Sequence, residues 1–389
     1  RKSLAIFRLE RRRMRSLITA EAERLLPGLL ETLRGLVEIE SPTTDKSAVD
    51  RAGRFVAERM AELGAEIQHF PQVAVGDHWL GTWGSGSGGI LMLVHLDTVH
   101  SIGTLERFPW SQTTNRVYGP GVLDMKAGAA IALTAIRALR ANHSVPGRRL
   151  SLLFTSDEET GSHSSVNLIQ AQARDHELVL CLEPALPDGS LKTWRKGVGD
   201  FELIIKGKAA HAGANPGEGV NAIHEMARQI QRITGLEDQA AGTTLNVGII
   251  EGGTRTNVIP AESRAQLDIR VQTLEEQARV AAALTSLAPI DPGAELRVEG
   301  EWNRPPMPRT ATMVATFERA RAIAAGIGME LSEGGTGGGS DANFVAPLGI
   351  PLLDGLGAVG GGAHTEQEHV LLESLPAKAA LLATLLTEW

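Results

Sequence analysis

The feature that most constrains the fold of this chain is a set of four short, continuously apolar segments, each followed by a turn. They are Gly89–Val94, Leu150–Thr155, Leu178–Leu182 and Ile350–Leu353. A strand that is apolar on both faces must be covered on both faces, which is typical of parallel sheets. Helical patterns lie over 20–39, 47–63 and 127–140, the last between the first two segments. This alternation predicts an α/β fold, a mostly parallel sheet flanked by helices.

The pattern changes after residue 195. Strands with one exposed face and amphipathic helices follow in the order strand–helix–strand–strand–helix–strand, which is the order of a ferredoxin-like unit. The strands are Phe201–Ile205, Thr244–Ile250, Ala265–Val271 and Glu295–Glu299, and the helices are Asn221–Ile233 and Leu274–Leu287. Helical patterns return near 310–325 and 371–388. We therefore predict an α+β domain at 196–305, inserted into a larger α/β domain formed by 1–195 and 306–389.

Charge and apolar content exclude several classes of protein. The 389 residues carry a formal charge of −8, although seven of the first 15 are basic. An acidic body argues against a general nucleic-acid binder, and we interpret 1–15 as a non-functional extension. No apolar run approaches the roughly 20 residues of a membrane span, and no signal peptide is visible. We expect a cytoplasmic protein that binds neither nucleic acid nor membrane; a periplasmic location stays open if the N-terminus is incomplete.

Chemically useful residues stand where the apolar segments end. They are His95 after the first, the pair Glu158–Glu159 after the second, Glu183 after the third, and His364 after the last. In an open α/β sheet the ligand crevice lies outside the carboxyl ends of the strands, so these side chains are expected at one rim. Asp124, in the loop before the long helix, can reach the same place. Each residue alone has an ordinary structural explanation, but their shared placement favours a site.

This set of side chains indicates a metal centre. The single cysteine, Cys181, cannot build a thiolate site, so the ligands must be histidines and carboxylates, which suit zinc. Five ligands are too many for one tetrahedral ion that keeps a position open, but they suit two ions roughly 3.5–4 Å apart. An unligated carboxylate must then take a proton from the attacking water. The adjacent acids Glu158 and Glu159 offer one ligand and one base.

Eight collinear segments carry a resemblance to a known family. They are HLDTV at 95–99, GPGVLDMKAG at 119–128, TSDEETGS at 155–162, LEPA at 182–185, KAAHAGANPGEGVNAI at 208–223, TNVIPAESRAQLDIR at 256–270, TGGGSDANF at 336–344 and GAHT at 362–365. The chain resembles the M20 metallopeptidases, most of all glutamate carboxypeptidases of the carboxypeptidase G type. The resemblance implies a zinc-exopeptidase-like fold with two Zn²⁺ per subunit, for which Co²⁺ or Mn²⁺ could substitute.

The resemblance also implies a role for each residue of the rim. His95 and Glu183 would hold one zinc ion. Glu159 and His364 would hold the other, and Asp124 would bridge the two. Glu158 would be the general base and then the acid that protonates the leaving amine. Asp97 would accept the second N–H of His95 and so fix the tautomer of that ring.

The inserted domain would be the lid and dimerisation domain of that family, which implies a homodimer. His211 resembles the histidine that reaches into the site of the other subunit and stabilises the developing oxyanion. The resemblance assigns the remaining residues to the substrate: Asn257, Arg270, Arg304, and the Thr336–Ser340 loop, where Thr336 and Gly339 lie. Arg270 is equally well explained as an ordinary ion-pairing residue of a strand. The loop is not a P-loop, because no lysine follows its glycines.

We therefore expect a two-zinc exopeptidase or amidohydrolase that cleaves an amide bond next to a free carboxylate. Its substrate would be a small peptide or an N-acyl amino acid, and C-terminal glutamate is the leading choice for the product. The alternatives are an N-acyl-amino-acid deacylase of the aminoacylase, deacetylase or desuccinylase type, or a catalytically inactive binding homologue. The intact set of ligands and base argues against the inactive homologue.

Overall fold

The computed structural model describes the backbone of residues 2–389 and the side chains from Arg13 onward. The chain forms two compact units. The first runs to Thr193 and resumes at Arg309–Gly335 and Ser340–Trp389, and the second consists of Trp194–Pro308 and Thr336–Gly339. Most side chains of the extension predicted over 1–15 lie outside the described residues. Arg15 lies within them and makes a two-pronged ion pair with Glu388 near the C-terminus, both contacts at 2.6 Å.

Over the described residues, the first unit begins with six α-helices and eight strands. The helices are α1 (Lys2–Arg24), α2 (Leu26–Val37), α3 (Lys46–Glu62), α4 (Thr104–Arg107), α5 (Ala127–Ala141) and α6 (Val166–Arg174). The strands are β1 (Glu66–Phe70), β2 (His78–Trp83), β3 (Gly89–His95), β4 (Ser111–Gln112), β5 (Arg116–Tyr118), β6 (Leu150–Thr155), β7 (His176–Cys181) and β8 (Leu191–Arg195). The last two residues of β8 belong to the second unit. Strands β3 and β6 are buried along their whole length, as their continuously apolar sequences predict.

The second unit is a ferredoxin-like α+β unit. Its elements are β9 (Gly197–Lys206), α7 (Ala222–Thr234), β10 (Thr244–Gly252), β11 (Glu262–Val271), α8 (Leu274–Thr285) and β12 (Glu295–Arg304). The sheet order is β10-β11-β9-β12, with antiparallel neighbours throughout. Asn221 and Thr273 cap the two helices, because each side chain accepts a main-chain N–H three residues on.

The first unit resumes with α9 (Ala311–Ala325), β13 (Glu333–Thr336), α10 (Ala342–Val345), β14 (Leu352–Asp354), β15 (Gly360–Gly361), β16 (His369–Leu371) and α11 (Ser374–Glu388). Its main sheet has the order β1-β2-β6-β3-β7-β14-β8-β13. The centre, β6-β3-β7-β14, is parallel and consists of the four apolar segments, which confirms the predicted fold class. The hairpin β1–β2 extends the sheet in antiparallel fashion, and neither of its strands has a continuous apolar sequence.

Helix α5 lies at the centre of the helical layer and is buried on almost every face. Its alanine-rich sequence lets neighbouring helices approach closely, and α11, α1 and α2 all pack against it. None of the helices in the described part of the chain combines the length and the apolar character needed to cross a bilayer.

A small second sheet of the first unit, β15-β16-β5-β4, determines where two loops meet. Strand β16 pairs with β5 so that His369 lies opposite Tyr118 and Leu371 opposite Arg116. The loop that follows β5 contains Asp124, and the turn between β15 and β16 contains His364. This sheet therefore holds together two loops that are some 240 residues apart in the chain.

Candidate metal centre and active site

The carboxyl ends of β3 and β6 lie side by side, because His95 is paired with Thr155 in the parallel register. His95 is the last residue of β3, and the short turn Glu158–Thr160 follows β6 closely. These positions follow from the continuous burial of both strands, which leaves their ends as the first places where polar side chains face the crevice.

Asp97 organises the two acids of that turn. Its buried carboxylate accepts the main-chain N–H of Glu158 at 3.2 Å and of Glu159 at 3.0 Å. The hydroxyl of Thr43 donates to the same group at 2.7 Å. One carboxylate therefore fixes the backbone of both residues to which sequence reasoning gave the roles of base and ligand.

The orientation of His95 differs in one detail from the expectation. Its Nδ1 lies 2.9 Å from the main-chain carbonyl of Asp97 and 3.5 Å from the carboxylate Oδ1 of the same residue. The carbonyl is therefore the nearer acceptor for the Nδ1 proton, and the carboxylate, which also raises the pKa of His95, lies slightly farther away. In either case Nε2 is left facing the carboxylates of the rim.

Asp124 lies between the two predicted histidine ligands. Its Oδ1 is 3.1 Å from Nε2 of His95, and its Oδ2 is 3.3 Å from Nε2 of His364. The peptide bond between Asp124 and Met125 is cis. Two further carboxylates complete the cluster: Glu183 Oε1 lies 3.6 Å from Nε2 of His95, and Glu159 Oε2 lies 3.5 Å from Nε2 of His364.

These distances fit a metal centre. His95, Asp124 and Glu159 each offer a ligand atom within 4.8 Å of the others. Ligands bound about 2.0–2.1 Å from a tetrahedral zinc ion lie roughly 3.4 Å apart, which is close to the four ligand-to-ligand distances of 3.1–3.6 Å. In addition, Oε1 of Glu159 is buried and has no hydrogen-bond partner among the described residues. An orphaned carboxylate oxygen of this kind is explained by a cation.

The pKa values of the cluster also indicate that its carboxylates require a positive charge close to them. Burial works to lower the pKa of His95, but the hydrogen bonds to Asp124 and Asp97 outweigh burial and raise it well above its usual value. Hydrogen bonds to Asp124 and Glu159 raise the pKa of His364 to about 10. Burial raises the pKa of Glu159, against the opposing effect of His364. Without a metal ion, protons on the histidines must balance the carboxylates.

In the second unit, the imidazole of His211 has a defined tautomer. Its Nδ1 accepts the main-chain N–H groups of Gly213 at 3.1 Å and Ala214 at 3.0 Å. The proton of the neutral ring is therefore on Nε2, which makes the exposed ring a hydrogen-bond donor. The main chain of His211 forms an isolated antiparallel β-bridge with Val258. Asn257 lies on the same adjoining segment, and the carbonyl of Asn257 accepts the N–H of Ala212 at 3.0 Å.

The predicted substrate residues Arg304, Thr336 and Gly339 also lie together in the second unit. A Cβ added to Gly339 would meet the Arg304 side chain at 2.6 Å, so this contact requires glycine. Arg195, which sequence reasoning missed, is buried beside them and donates to the carbonyl of Gly339 at 2.9 Å. The sequence offered only an arginine at the end of the segment LKTWR, because its burial follows from the tertiary structure.

Arg270, in contrast, forms an ion pair within its own strand. It contacts the carboxylate of Asp268, two residues earlier on β11, at 2.6 Å and 2.8 Å. This contact matches the ion-pair alternative that the sequence left open, and the pairing raises the pKa of the Arg270 guanidinium.

Comparison with known proteins supports the same class of site. Residues 91–388 match the sequence profile of Peptidase family M20/M25/M40. Carboxypeptidase G2 of Pseudomonas sp. (strain RS-16) is 31% identical over 93% of this chain and 89% of its own. Succinyl-diaminopimelate desuccinylase of Xanthomonas oryzae pv. oryzae (strain MAFF 311018) is 29% identical over 85% of this chain and 92% of its own.

Solved structures agree in fold. Aminopeptidase PepT from Bacillus cereus ATCC 10987 superposes with a TM-score of 0.78 at 25% identity, over 93% of this chain and 98% of that one. The M20 family metallo-carboxypeptidase Sso-CP2 from Sulfolobus solfataricus has a TM-score of 0.71 at 18% identity, over 92% and 98% of the two chains.

The chain belongs to peptidase family M20/M25/M40. It is accordingly a hydrolase of the metallopeptidase and amidohydrolase class, and the family resemblance read from its motifs is confirmed. The family is metal-dependent, and His95, Asp124 and Glu159 form a cluster that could hold a metal ion.

Proposed function

We propose that this protein is a two-zinc hydrolase that cleaves an amide bond next to a free C-terminal carboxylate and releases C-terminal glutamate. The observation that carries the proposal is the position of Asp124, whose two carboxylate oxygens face two different histidines. A single ion would need only one of these oxygens, whereas a bridging carboxylate between two ions uses both.

His95 and Glu183 would hold one ion, His364 and Glu159 the other, with Asp124 shared between them. The donor set of histidines and carboxylates, without thiolates, suits Zn²⁺ and accommodates Co²⁺ or Mn²⁺. When bound, such ions polarise the scissile carbonyl and lower the pKa of the attacking water.

Glu158 is the proposed general base. Its neighbour Glu159 is directed into the cluster, and Asp97 fixes the main chain of both, so Glu158 is the member of the pair that remains for proton transfer. Its carboxylate would take a proton from the attacking water and give it to the nitrogen of the leaving amine. His211, with its proton on Nε2, would donate to the oxyanion that develops on the carbonyl oxygen.

The group at Arg304 and Gly339 is the proposed binding site for the free carboxylate of the substrate. An arginine guanidinium binds a carboxylate in a two-pronged geometry, and the Thr336–Ser340 loop adds main-chain N–H groups. Asn257, beside His211, is a further proposed contact with the substrate. We propose that the protein works as a homodimer, in which His211 serves the site of the other subunit.

Metal analysis tests the centre itself. After dialysis against excess zinc and removal of free metal, we expect about two zinc ions per chain by atomic emission spectroscopy. One ion per chain would contradict a centre of two bridged ions. No bound metal in the presence of excess zinc would contradict the proposal of a metal-dependent hydrolase.

A substrate panel tests the specificity. We expect N-acyl glutamates and dipeptides ending in glutamate to be cleaved with a kcat/KM at least ten times that of the matching alanine compounds. Glu158→Gln should lower kcat by a factor on the order of 10²–10⁴. The matched control is Glu177→Gln, which removes an exposed charge paired with Arg148. Equal turnover of the glutamate and alanine compounds would contradict the glutamate assignment.

The second candidate is an N-acyl-amino-acid deacylase, for which the similarity to succinyl-diaminopimelate desuccinylase over 85% of this chain is the support. The same panel separates the two candidates when N-succinyl and N-acetyl compounds are added. A preference set by the acyl group, with little dependence on the C-terminal side chain, would favour the deacylase.

A further inference from the structure

The carboxylate of Glu368 is fully buried and lies beside the cluster of candidate metal ligands, yet none of the roles derived above uses it. Its Oε1 accepts the main-chain N–H of Leu123 at 2.8 Å and of Asp124 at 2.9 Å. Its Oε2 accepts the N–H of Gly121 at 3.0 Å and lies 2.7 Å from Nε2 of His100. Four donors from two segments of chain therefore converge on one carboxylate.

The backbone of the Asp124 loop is shaped to receive that carboxylate. Gly121 has a left-handed φ of 70°, and a Cβ there would lie 2.5 Å from the Thr98 side chain, so glycine is required. The left-handed residue turns successive N–H groups toward one point, and such a concave run of N–H groups binds an anion. The three N–H groups would otherwise be buried and unsatisfied at appreciable cost.

Glu368 also belongs to the turn that carries His364. Between these residues the turn is fixed by main-chain bonds from Thr365 N–H to Gly362 at 3.0 Å and from Glu368 N–H to Thr365 at 3.2 Å. The carboxylate therefore connects the loop of one metal ligand, Asp124, with the turn of another, His364. The Asp124 N–H that it accepts belongs to the ligand residue itself.

We infer that Glu368, supported by His100, is a positioning residue that presets the distance between Asp124 and His364 for metal binding. The inference rests on the proposed function, since it assumes that both residues are ligands. A buried carboxylate with four donors holds a single geometry, whereas an amide in its place turns an N–H₂ group toward N–H donors. Loss of the carboxylate should therefore loosen the bridging ligand without removing any ligand.

The test compares Glu368→Gln with Glu366→Gln. Glu366 lies on the same turn, is exposed, and pairs only with the exposed Arg107 among the contacts described, so the control makes the same chemical change outside the cluster. Both are measured for the Zn²⁺ dissociation constant by competition with a chelating dye, for the visible spectrum of the Co²⁺-loaded protein, and for kcat and KM. We expect Glu368→Gln to weaken metal binding by a factor of about 10–100, to change the Co²⁺ spectrum, and to lower kcat more than KM.

Glu366→Gln should match the wild type in all of these measurements. Should Glu368→Gln not yield folded protein, His100→Ala removes one of the four donors and should weaken metal binding by a smaller factor. A purely structural role predicts a lower melting temperature with wild-type metal affinity and an unchanged Co²⁺ spectrum, and that result would overturn the inference. A wild-type protein that binds no metal would instead contradict the proposed function.

Discussion

At the scale of single residues, Asp97 shows how one buried carboxylate can hold in place the two residues that we propose as base and ligand. It accepts N–H groups from both Glu158 and Glu159, so the distance between base and ligand is set by the backbone of a short turn. A fixed backbone narrows the range of positions open to the two carboxylates, which favours a proton transfer over hydrogen-bond distance.

The role of Asp97 leads to the first prediction. In Asp97→Asn the amide presents N–H₂ to one of the two main-chain N–H groups, which displaces the turn. We expect kcat to fall by a factor of about 10–100, with weaker zinc binding. Thr43→Val is the matched control, since it removes only the hydroxyl that donates to Asp97, and it should stay within a few-fold of the wild type. Equal effects of the two variants would contradict a positioning role.

A second prediction concerns Lys378, a buried lysine of helix α11. Burial, with repulsion from Lys192, lowers its pKa from 10.5 to about 8, against the opposing effect of Asp188. Between these two values only the unfolded chain keeps the proton, so the free energy of unfolding rises with pH across that window. At 1.36 kcal/mol per pKa unit the gain is up to about 3 kcal/mol.

The measurement is urea unfolding at pH 7, 8.5 and 10. The stability of the wild type relative to Lys378→Met should increase with pH over this range, because the methionine variant has no buried charge to lose. Lys206→Met, at an exposed position on β9, is the control for removal of a lysine. A difference between wild type and Lys378→Met that stays constant with pH would disprove the prediction.

At the scale of elements, close packing overrides helix propensity where α3 meets β2. Gly53 lies within α3, and a Cβ at this position would be 2.4 Å from Nε1 of Trp79. The indole cannot easily give way, since it is stacked on His69 with ring centroids 4.1 Å apart. The glycine therefore permits the contact of helix and strand.

This contact gives the third prediction. Propensity alone would make Gly53→Ala stabilising by about 1 kcal/mol, whereas overpacking should make it destabilising by about 1–3 kcal/mol. Gly28→Ala, in α2, is the control, because its Cβ would meet only the end of the Arg137 side chain, at 3.2 Å. We expect Gly28→Ala to be neutral or stabilising in urea unfolding, and a stabilised Gly53→Ala would contradict the packing argument.

At the scale of the whole molecule, the proposed metal ligands come from five separate segments, from His95 to His364. Ions bound to all five should stabilise the fold by mass action, each by about 4 kcal/mol at a thousand-fold excess over its dissociation constant. Chelation should therefore lower the melting temperature by several degrees, and added zinc should restore it.

The same experiment separates the two adjacent acids. Glu158→Gln should keep the stabilisation by zinc, because we assign Glu158 to proton transfer, whereas Glu159→Gln should lose most of it. The measurement is calorimetry with and without a chelator. Similar losses in both variants would show that Glu158 is a ligand and would overturn the assignment.

The last prediction concerns the oligomeric state of the protein, for which we expect a dimer. Strand β10 is an edge strand of the sheet in the second unit and exposes Ile249 and Ile250, each more than half accessible. We expect sedimentation equilibrium to give twice the 41.4 kDa mass of the chain. A monomer with full activity would contradict the role of His211 in the other subunit.

Much of the fold could be predicted from the sequence, because its signals are local. Continuously apolar segments specify strands buried on both faces, and their polar end residues, His95 and Glu183 among them, fall at the crevice in any parallel arrangement. The strand and helix order of the second unit likewise predicted its ferredoxin-like topology. The hairpin β1–β2 was missed because its partly exposed strands have no continuous apolar run.

The sequence by itself determined which residue types are available for a metal centre and at which strand ends they stand. Only the tertiary structure decided how they are held. Asp97 bonding to the Glu158–Glu159 turn, Asp124 lying between two histidines, and Glu368 joining the Asp124 loop to the His364 turn are contacts between segments far apart in the chain. No local pattern encodes them, because they arise from the pairing of strands and the burial of polar groups that must find partners in the folded chain.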